Sequence, residues 1–389
     1  MAMVDPLQKG ECFMIVDSDT HINEPMEAFE RFLEEPYKSR RPVVIKDTFG
    51  LTRLVLEGRL YPETRLKQAH SKKIEGTDMG GIQAGAADPR ARLGDLDLEG
   101  IDMQLIYGSL GLALSALQDK DFAAAMSRAC NSYYAEFCSV NPERLRCMAT
   151  LPLQDIPASI EEMRRATKEL GLAGVTMPPN VNGKNLDHPD FYPIYEEVQK
   201  LNLPIAIHWG NGAYLTAAGT ERFNTHFMTH AVGHTFEQMI AVACIICDGI
   251  TELFPKLRFA FLEAGCGWLP YWIERLHEHY ERRTAEAPLM KKDPYEYIAD
   301  GNCFFATEPD EKMLPAVINI MGDKVILFGS DYPHTDSKFP NSVKWVRERT
   351  DISEGSKERI LTKNGARFIG LEAAKASRVG NETGTAKSS

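Results

Sequence analysis

The sequence contains no uninterrupted apolar run of about 18 residues, the length a helix needs to cross a bilayer. Its N-terminal stretch MAMVDPLQKGE carries charges where a secretory signal would carry its apolar segment. It is short of positive charge: 44 Lys and Arg against 55 Asp and Glu leave a net charge of −11. Nucleic acid and polybasic membrane contacts both require clustered positive charge, so neither partner is expected. Cysteine is sparse, 8 in 389 residues. Cys244 and Cys247 form one isolated CxxC inside the apolar run IAVACIICDGI, with no second pair to complete a zinc knuckle. Buried thiols in a reducing cytoplasm are the expectation. No internal repeat is visible. No glycine fingerprint follows the first apolar segment, where Asp17-Ser18-Asp19-Thr20-His21 stands instead, which argues against an open dinucleotide-binding sheet.

What is present is a globular composition, 43% hydrophobic and 25% charged. Short, nearly all-apolar segments recur at Met14–Thr20, Met103–Tyr107, Cys147–Leu151, Gly174–Met177, Pro204–His208, Arg258–Glu263, Cys303–Thr307 and Val325–Ser330. Each is too short for a helix and reads as a strand buried on both faces. Between them lie amphipathic helical patterns at Phe122–Val140, Ala158–Leu170, Tyr192–Leu201, Thr235–Phe254 and Leu269–Arg283. This α/β alternation with eight strands predicts a closed parallel (β/α)8 TIM barrel. Residues 1–375 are expected to form one domain, with Arg41–Pro89 a flap inserted after the first strand and Ala376–Ser389 a disordered tail.

In such a barrel the strand C-terminal ends line the active site. Asp19 and His21 are two apart at the end of strand one, so both side chains face one way. His208 ends strand five, Glu263 strand six and Asp331 strand eight. Imidazole nitrogens and carboxylate oxygens converging on one mouth suit Zn, Mn or Fe(II). Read singly, each residue is also an ordinary turn, cap or core residue; their joint position at four strand ends is what points to a metal. His234 and His334 are further candidates for a catalytic role, as is Asp331. His230 shares a helix face with His234 at i, i+4, but the segment GHTFE lacks the HExxH zinc spacing, so a second zinc motif is discounted there. Glu308, Trp209 and Trp268 also lie beside strand ends. Arg53, Arg59, Arg65, Arg90 and Arg92 lie in or near the flap, where they could grip a carboxylate, and read mostly as solvated surface.

The motifs VDSDTHINEP (16–25), AIHWG (206–210), LRFAFLEAGCGWLPYWIERL (257–276) and FGSDYPH (328–334) together carry a resemblance. The span from about Ile15 to Phe368 resembles the amidohydrolase superfamily, in the amidohydrolase-related branch of aminocarboxymuconate semialdehyde and resorcylate-type decarboxylases. The resemblance implies a metal-dependent barrel with Asp19, His21, His208 and Asp331 as ligands. Two positions depart from the pattern. Asp19-x-His21 stands where the superfamily often has His-x-His, and Glu263 stands where the decarboxylases carry a His. The extra carboxylates make Glu263 a fifth candidate ligand and leave the count at one ion or two. Hydrolysis and decarboxylation of a small carboxylate-bearing substrate are both open. So are dinuclear oxygenase or thioesterase chemistry and a non-catalytic metal-binding subunit paired with an active homologue. Self-association, homo- or hetero-oligomeric, is expected.

Overall fold

The computed structural model describes residues 14–48, 52–61, 83–209, 217–223, 225–334 and 337–371. Eight parallel strands form where the apolar segments lie: β1 Val16–Ile22, β2 Met103–Gly108, β3 Leu145–Cys147 continued at Ala149–Thr150, β4 Val175–Met177, β5 Pro204–Ile207, β6 Arg258–Phe261, β7 Cys303–Thr307 and β8 Ile326–Phe328. They pair in sequence order, β1 to β2 to β3 and then onward through β8. The ring closes between β8 and β1. A parallel bridge joins Thr20 to Tyr332, Asp331 N donates to Asp19 O at 3.0 Å, and His21 N donates to Tyr332 O at 2.6 Å.

Crossover helices connect the strands, α1 Pro89–Glu99, α2 Lys120–Cys138, α3 Ile156–Arg164, α4 Tyr192–Leu201, α5 His226–Cys247, α6 Leu269–Arg283 and α7 Leu314–Met321, and α8 Ser342–Glu348 follows the last strand. Their starts follow local chemistry. Asp88, Asp119 and Asp155 cap α1, α2 and α3 by accepting first-turn backbone N–H groups, each worth about 1 kcal/mol. Gly100, at φ 73°, ends α1 in the left-handed conformation. Helix α5 begins at His226 rather than Thr235, because Thr225 supplies the cap. It stops at Cys247, ahead of Gly249 at φ 79°.

The barrel interior is packed by Leu105, Tyr107, Met148, Ala206, Ala260, Leu262, Phe304, Ala306 and Leu327, with Phe368 from the C-terminal helix against Phe304. A larger apolar layer lies between strands and helices. The segment Phe227–Cys247 is long and apolar enough to cross a membrane by length and composition alone. Its Ala241, Val242, Ile245 and Ile246 are fully buried in the layer between helices and barrel, which accounts for that apolarity. Cys244 is buried and Cys247 partly so; both are free thiols. The expected flap contains a three-stranded antiparallel sheet, Val43–Lys46, Thr52–Leu56 and Arg59–Tyr61. Its last residue belongs elsewhere: Pro89 opens α1. The stretch 62–82 and the expected tail, Ala376–Ser389, lie outside the described residues.

Candidate metal centre

All five predicted ligands meet at the C-terminal mouth of the barrel. Asp19 and His21, on β1, are buried at 3% and 0% exposure, and His208, just past β5, at 0%. His208 Nε2 lies 3.2 Å from Asp19 Oδ1, and His21 Nε2 lies 3.8 Å from the same oxygen and 3.4 Å from Asp331 Oδ1. Ligand atoms of Asp19, His21 and His208 fall within 4.8 Å of one another, as do those of His21, Glu263, Asp331 and His334. The two groups share His21.

The chain bends sharply to deliver the carboxylates. Glu263 and Asp331 sit at φ 56° and 55°, the left-handed region that side chains other than glycine rarely adopt. Both are held there by β1: Glu263 N donates to Asp19 Oδ2 at 3.1 Å, and Asp331 N to Asp19 O. Gly329 makes room for this approach, since a Cβ there would lie 2.8 Å from the Asp19 Cβ. The left-handed backbone turns both carboxylates toward the same mouth of the barrel.

The electrostatics fit a divalent cation. Burial pushes the His21 imidazole well below its usual value, with the neighbouring His334 and His208 adding to the effect. It is therefore neutral and offers a lone pair. Both its ring nitrogens are buried with no hydrogen-bond partner, an arrangement costly to leave unmet. A cation between Asp19, His21, His208 and Asp331 would use that lone pair and offset the repulsion among carboxylates. His208 Nδ1 faces Trp209 O at 3.2 Å, so that nitrogen carries the hydrogen and Nε2 is left for a metal.

The catalytic candidates are here too. His334 Nδ1 lies 2.8 Å from Asp331 Oδ1, and its ring stacks on His21 with centroids 4.2 Å apart. His234 Nδ1 donates to Glu263 O at 3.0 Å. His230 stacks on His234 with centroids 4.1 Å apart, and the two come together with Glu263. The segment GHTFE still lacks the HExxH spacing, and the carboxylate beside the pair comes from the turn after β6. Trp268 packs edge-on to Phe305, a core role, and Trp209 is fully buried.

Arg92 overturns its reading as surface. It is fully buried. Its guanidinium donates to His21 O at 2.7 Å, Thr20 Oγ1 at 3.0 Å, Gly85 O at 3.2 Å and Gln104 Oε1 at 2.7 Å, and lies over the Tyr332 ring. Gln104 Nε2 in turn donates to Asp17 Oδ2 at 3.1 Å, and Ser330 N and Oγ donate to the same carboxylate. Burial pushes Asp17 up to about 7. The network locks β1 against β8 beneath the site. Gln238, on α5, likewise donates to Ile207 O and Leu262 O, tying the ends of β5 and β6. Sequence reasoning missed these three. Asp17 offered a signal, as a second carboxylate two residues before Asp19 on the same strand; Arg92 and Gln238 offered none.

A closed parallel barrel with imidazoles and carboxylates converging at its C-terminal mouth defines the class of metal-dependent barrel hydrolases and lyases. The amidohydrolase family profile matches residues 17–371, and the chain belongs to that family. It is 30% identical over 304 residues to the 2-amino-3-carboxymuconate-6-semialdehyde decarboxylase of Dictyostelium discoideum, covering 77% of this chain and 81% of that one. Among solved structures, an amidohydrolase from Mycobacterium avium subsp. paratuberculosis K-10 superposes with a TM-score of 0.74 at 20% identity, over 92% of this chain and 98% of that one. A dihydroxybenzoic acid decarboxylase from Polaromonas sp. JS666, with bound manganese and the inhibitor 2-nitroresorcinol, gives 0.64 at 20% identity, over 92% and 98%.

Proposed function

We propose that the chain is a metal-dependent decarboxylase of a small conjugated or aromatic carboxylate. The observation that carries this reading is the buried trio Asp19, His21 and His208, with the partly exposed Asp331 beside His21 and hydrogen-bonded to His334. The named activity of the Dictyostelium relative supports the same chemistry. Asp19, His21, His208 and Asp331 would hold the cation, with Glu263 an additional ligand. Manganese, bound in the Polaromonas structure, is the first metal to try, then zinc and iron(II). Such a cation supplies positive charge that grips the substrate carboxylate and a neighbouring oxygen.

The rest falls to the chain's own side chains. Decarboxylation breaks the carbon–carboxylate bond and forms a carbon–hydrogen bond, so one proton must reach the carbon that loses CO2. The His334–Asp331 pair is suited to deliver it. His334 is 36% exposed, so its ring reaches solvent, while Asp331 at 2.8 Å orients the ring. The buried, neutral His21 stays out of proton traffic. His234 is buried and donates to the Glu263 carbonyl.

The test loads the protein with Mn(II), Zn(II) or Fe(II). It then follows CO2 release from 2-amino-3-carboxymuconate semialdehyde, 2,6-dihydroxybenzoate and 5-carboxyvanillate. Release from at least one, lowered at least about a hundredfold in His334→Gln, is the expected result. A metal-loaded protein that releases no CO2 from any of them but hydrolyses esters or amides overturns decarboxylation in favour of hydrolysis.

A further inference from the structure

We infer that Glu311, in the loop after β7, is a positioning residue for Glu263: its carboxylate fixes the turn after β6 in the shape that carries Glu263 to the barrel mouth. The inference rests on reading the mouth as a metal centre with Glu263 as an additional ligand.

The turn 263–267 is held at both ends. Glu263 begins it at φ 56° and Gly265 follows at φ 61°, so two residues two apart are in the left-handed region. The near end is tied to β1 and α5: Glu263 N donates to Asp19 Oδ2 at 3.1 Å, and Glu263 O accepts from His234 Nδ1 at 3.0 Å. The far end is held by Glu311. Its Oε1 accepts from Cys266 N at 2.9 Å and Gly267 N at 2.5 Å, and its Oε2 from Cys266 N at 3.0 Å. Burial pushes the Cys266 thiol well above its usual value, so it keeps its hydrogen and donates it to Oε2 at 3.2 Å. Thr307 Oγ1, at the end of β7, donates to the same oxygen at 2.8 Å.

The surroundings are shaped for this clamp. A Cβ at Gly265 would lie 3.0 Å from Glu311 Oε1, and one at Gly267 would lie 2.9 Å from that oxygen and 2.7 Å from Met313 Cβ. Arg349, just past α8, anchors the Glu311 loop by donating to Pro309 O at 3.1 Å and Glu311 O at 2.9 Å. A carboxylate on the amides ahead of α6 also acts as a helix cap. What sets this one apart is the turn it holds. Glu263 Oε2 lies 3.4 Å from His208 Nδ1, and Oε1 lies 3.9 Å from both His234 Nδ1 and His334 Nδ1. Slack in a five-residue turn would move those oxygens out of reach.

The test reads the affinity and zero-field splitting of bound Mn(II) rather than turnover. Metal-stripped wild type and variants are titrated calorimetrically, their electron paramagnetic resonance spectra are recorded, and their urea midpoints are measured without metal. Glu311→Ala removes the clamp and should weaken Mn(II) binding at least about tenfold, with an altered spectrum. Glu311→Gln keeps an oxygen for both backbone N–H groups and an amide that can donate to Thr307 Oγ1, so it should stay within about threefold of wild type. Glu311→Ala placed in Glu263→Gln should lower affinity little beyond Glu263→Gln alone, because the clamp acts through that side chain. Should Glu311→Ala not fold, Glu311→Asp, which withdraws the carboxylate by one methylene, gives the same readout. A lower urea midpoint with wild-type affinity and spectrum in Glu311→Ala makes the residue a helix cap only and overturns the inference. A Glu311→Gln protein as impaired as Glu311→Ala assigns the effect to charge and overturns it too, as do additive losses in the double variant. Unchanged affinity in Glu263→Gln removes Glu263 from the site and overturns the inference while leaving the other ligands standing. No bound manganese, zinc or iron in wild type overturns the metal centre itself, and this inference with it.

Discussion

Asp331 combines a strained backbone, a carboxylate and a hydrogen bond to His334 in one residue. Asn tolerates the left-handed conformation as well as Asp does and keeps an acceptor for His334. Asp331→Asn should therefore leave the metal-free protein within about 0.5 kcal/mol of wild type. Its affinity for metal should fall by at least about tenfold. Urea unfolding of the stripped protein and isothermal titration with Mn(II) measure the two effects separately. A large loss of stability would show instead that the carboxylate holds the turn. Arg92 should behave in the opposite way. Replacing it with Met leaves the His21 and Gly85 carbonyls, Thr20 Oγ1 and Gln104 Oε1 without their donor, and Asp17 loses a nearby cation. The cost should be about 3–5 kcal/mol, seen as a lower unfolding midpoint in protein never exposed to metal. A Met variant as stable as wild type would mean that the network is dispensable.

At the scale of elements, two helices are coupled through one ion pair. His277 on α6 contacts Asp293, which caps the helix Pro294–Asp300 in a capping box. The hydrogen bond that its imidazole donates to Asp293 raises the His277 pKa above its usual value near 6.5. Because the folded value is the higher one, the contribution is complete below the unfolded value and is lost as pH rises through the folded one. The wild type should thus lose stability to urea on going from pH 6 to pH 9, and His277→Gln should flatten that part of the profile. An unchanged slope in the variant would assign the pH dependence to other groups. The strands and their order were legible at this scale, because strands covered on both faces must be apolar throughout. Helix α5 was less so. Its first turns carry polar His, Thr and Gly residues that weaken the periodic pattern, so its true start at His226 was hidden.

At the scale of the whole molecule, the outer surface carries large exposed aromatics. Phe227 and Phe236 on α5 and Tyr271 on α6 are 78%, 46% and 67% exposed. Large exposed aromatics on neighbouring crossover helices are the kind of surface that self-association buries. The chain, 43.6 kDa alone, should scatter light as a dimer or larger species at micromolar concentration. A monodisperse species of monomer mass would reject this. Phe236→Glu should shift the population toward monomer, because it buries a charge in that contact.

The sequence by itself determined the barrel, since alternating apolar segments and capped helices leave few other ways to bury both faces of eight short strands. It also pointed to the mouth of the barrel as the place where Asp19, His21, His208, Glu263 and Asp331 would meet, because all five stand at strand ends. The tertiary structure alone decided which groups act together across distant elements. Arg92 looks like surface until α1 closes over β1, and the His230–His234 pair has no carboxylate until the turn after β6 brings Glu263 to it. Residue spacing encodes neighbours along one helix or strand. Contacts between elements depend on how the barrel curves and closes, and that geometry is set by the packing of the whole chain.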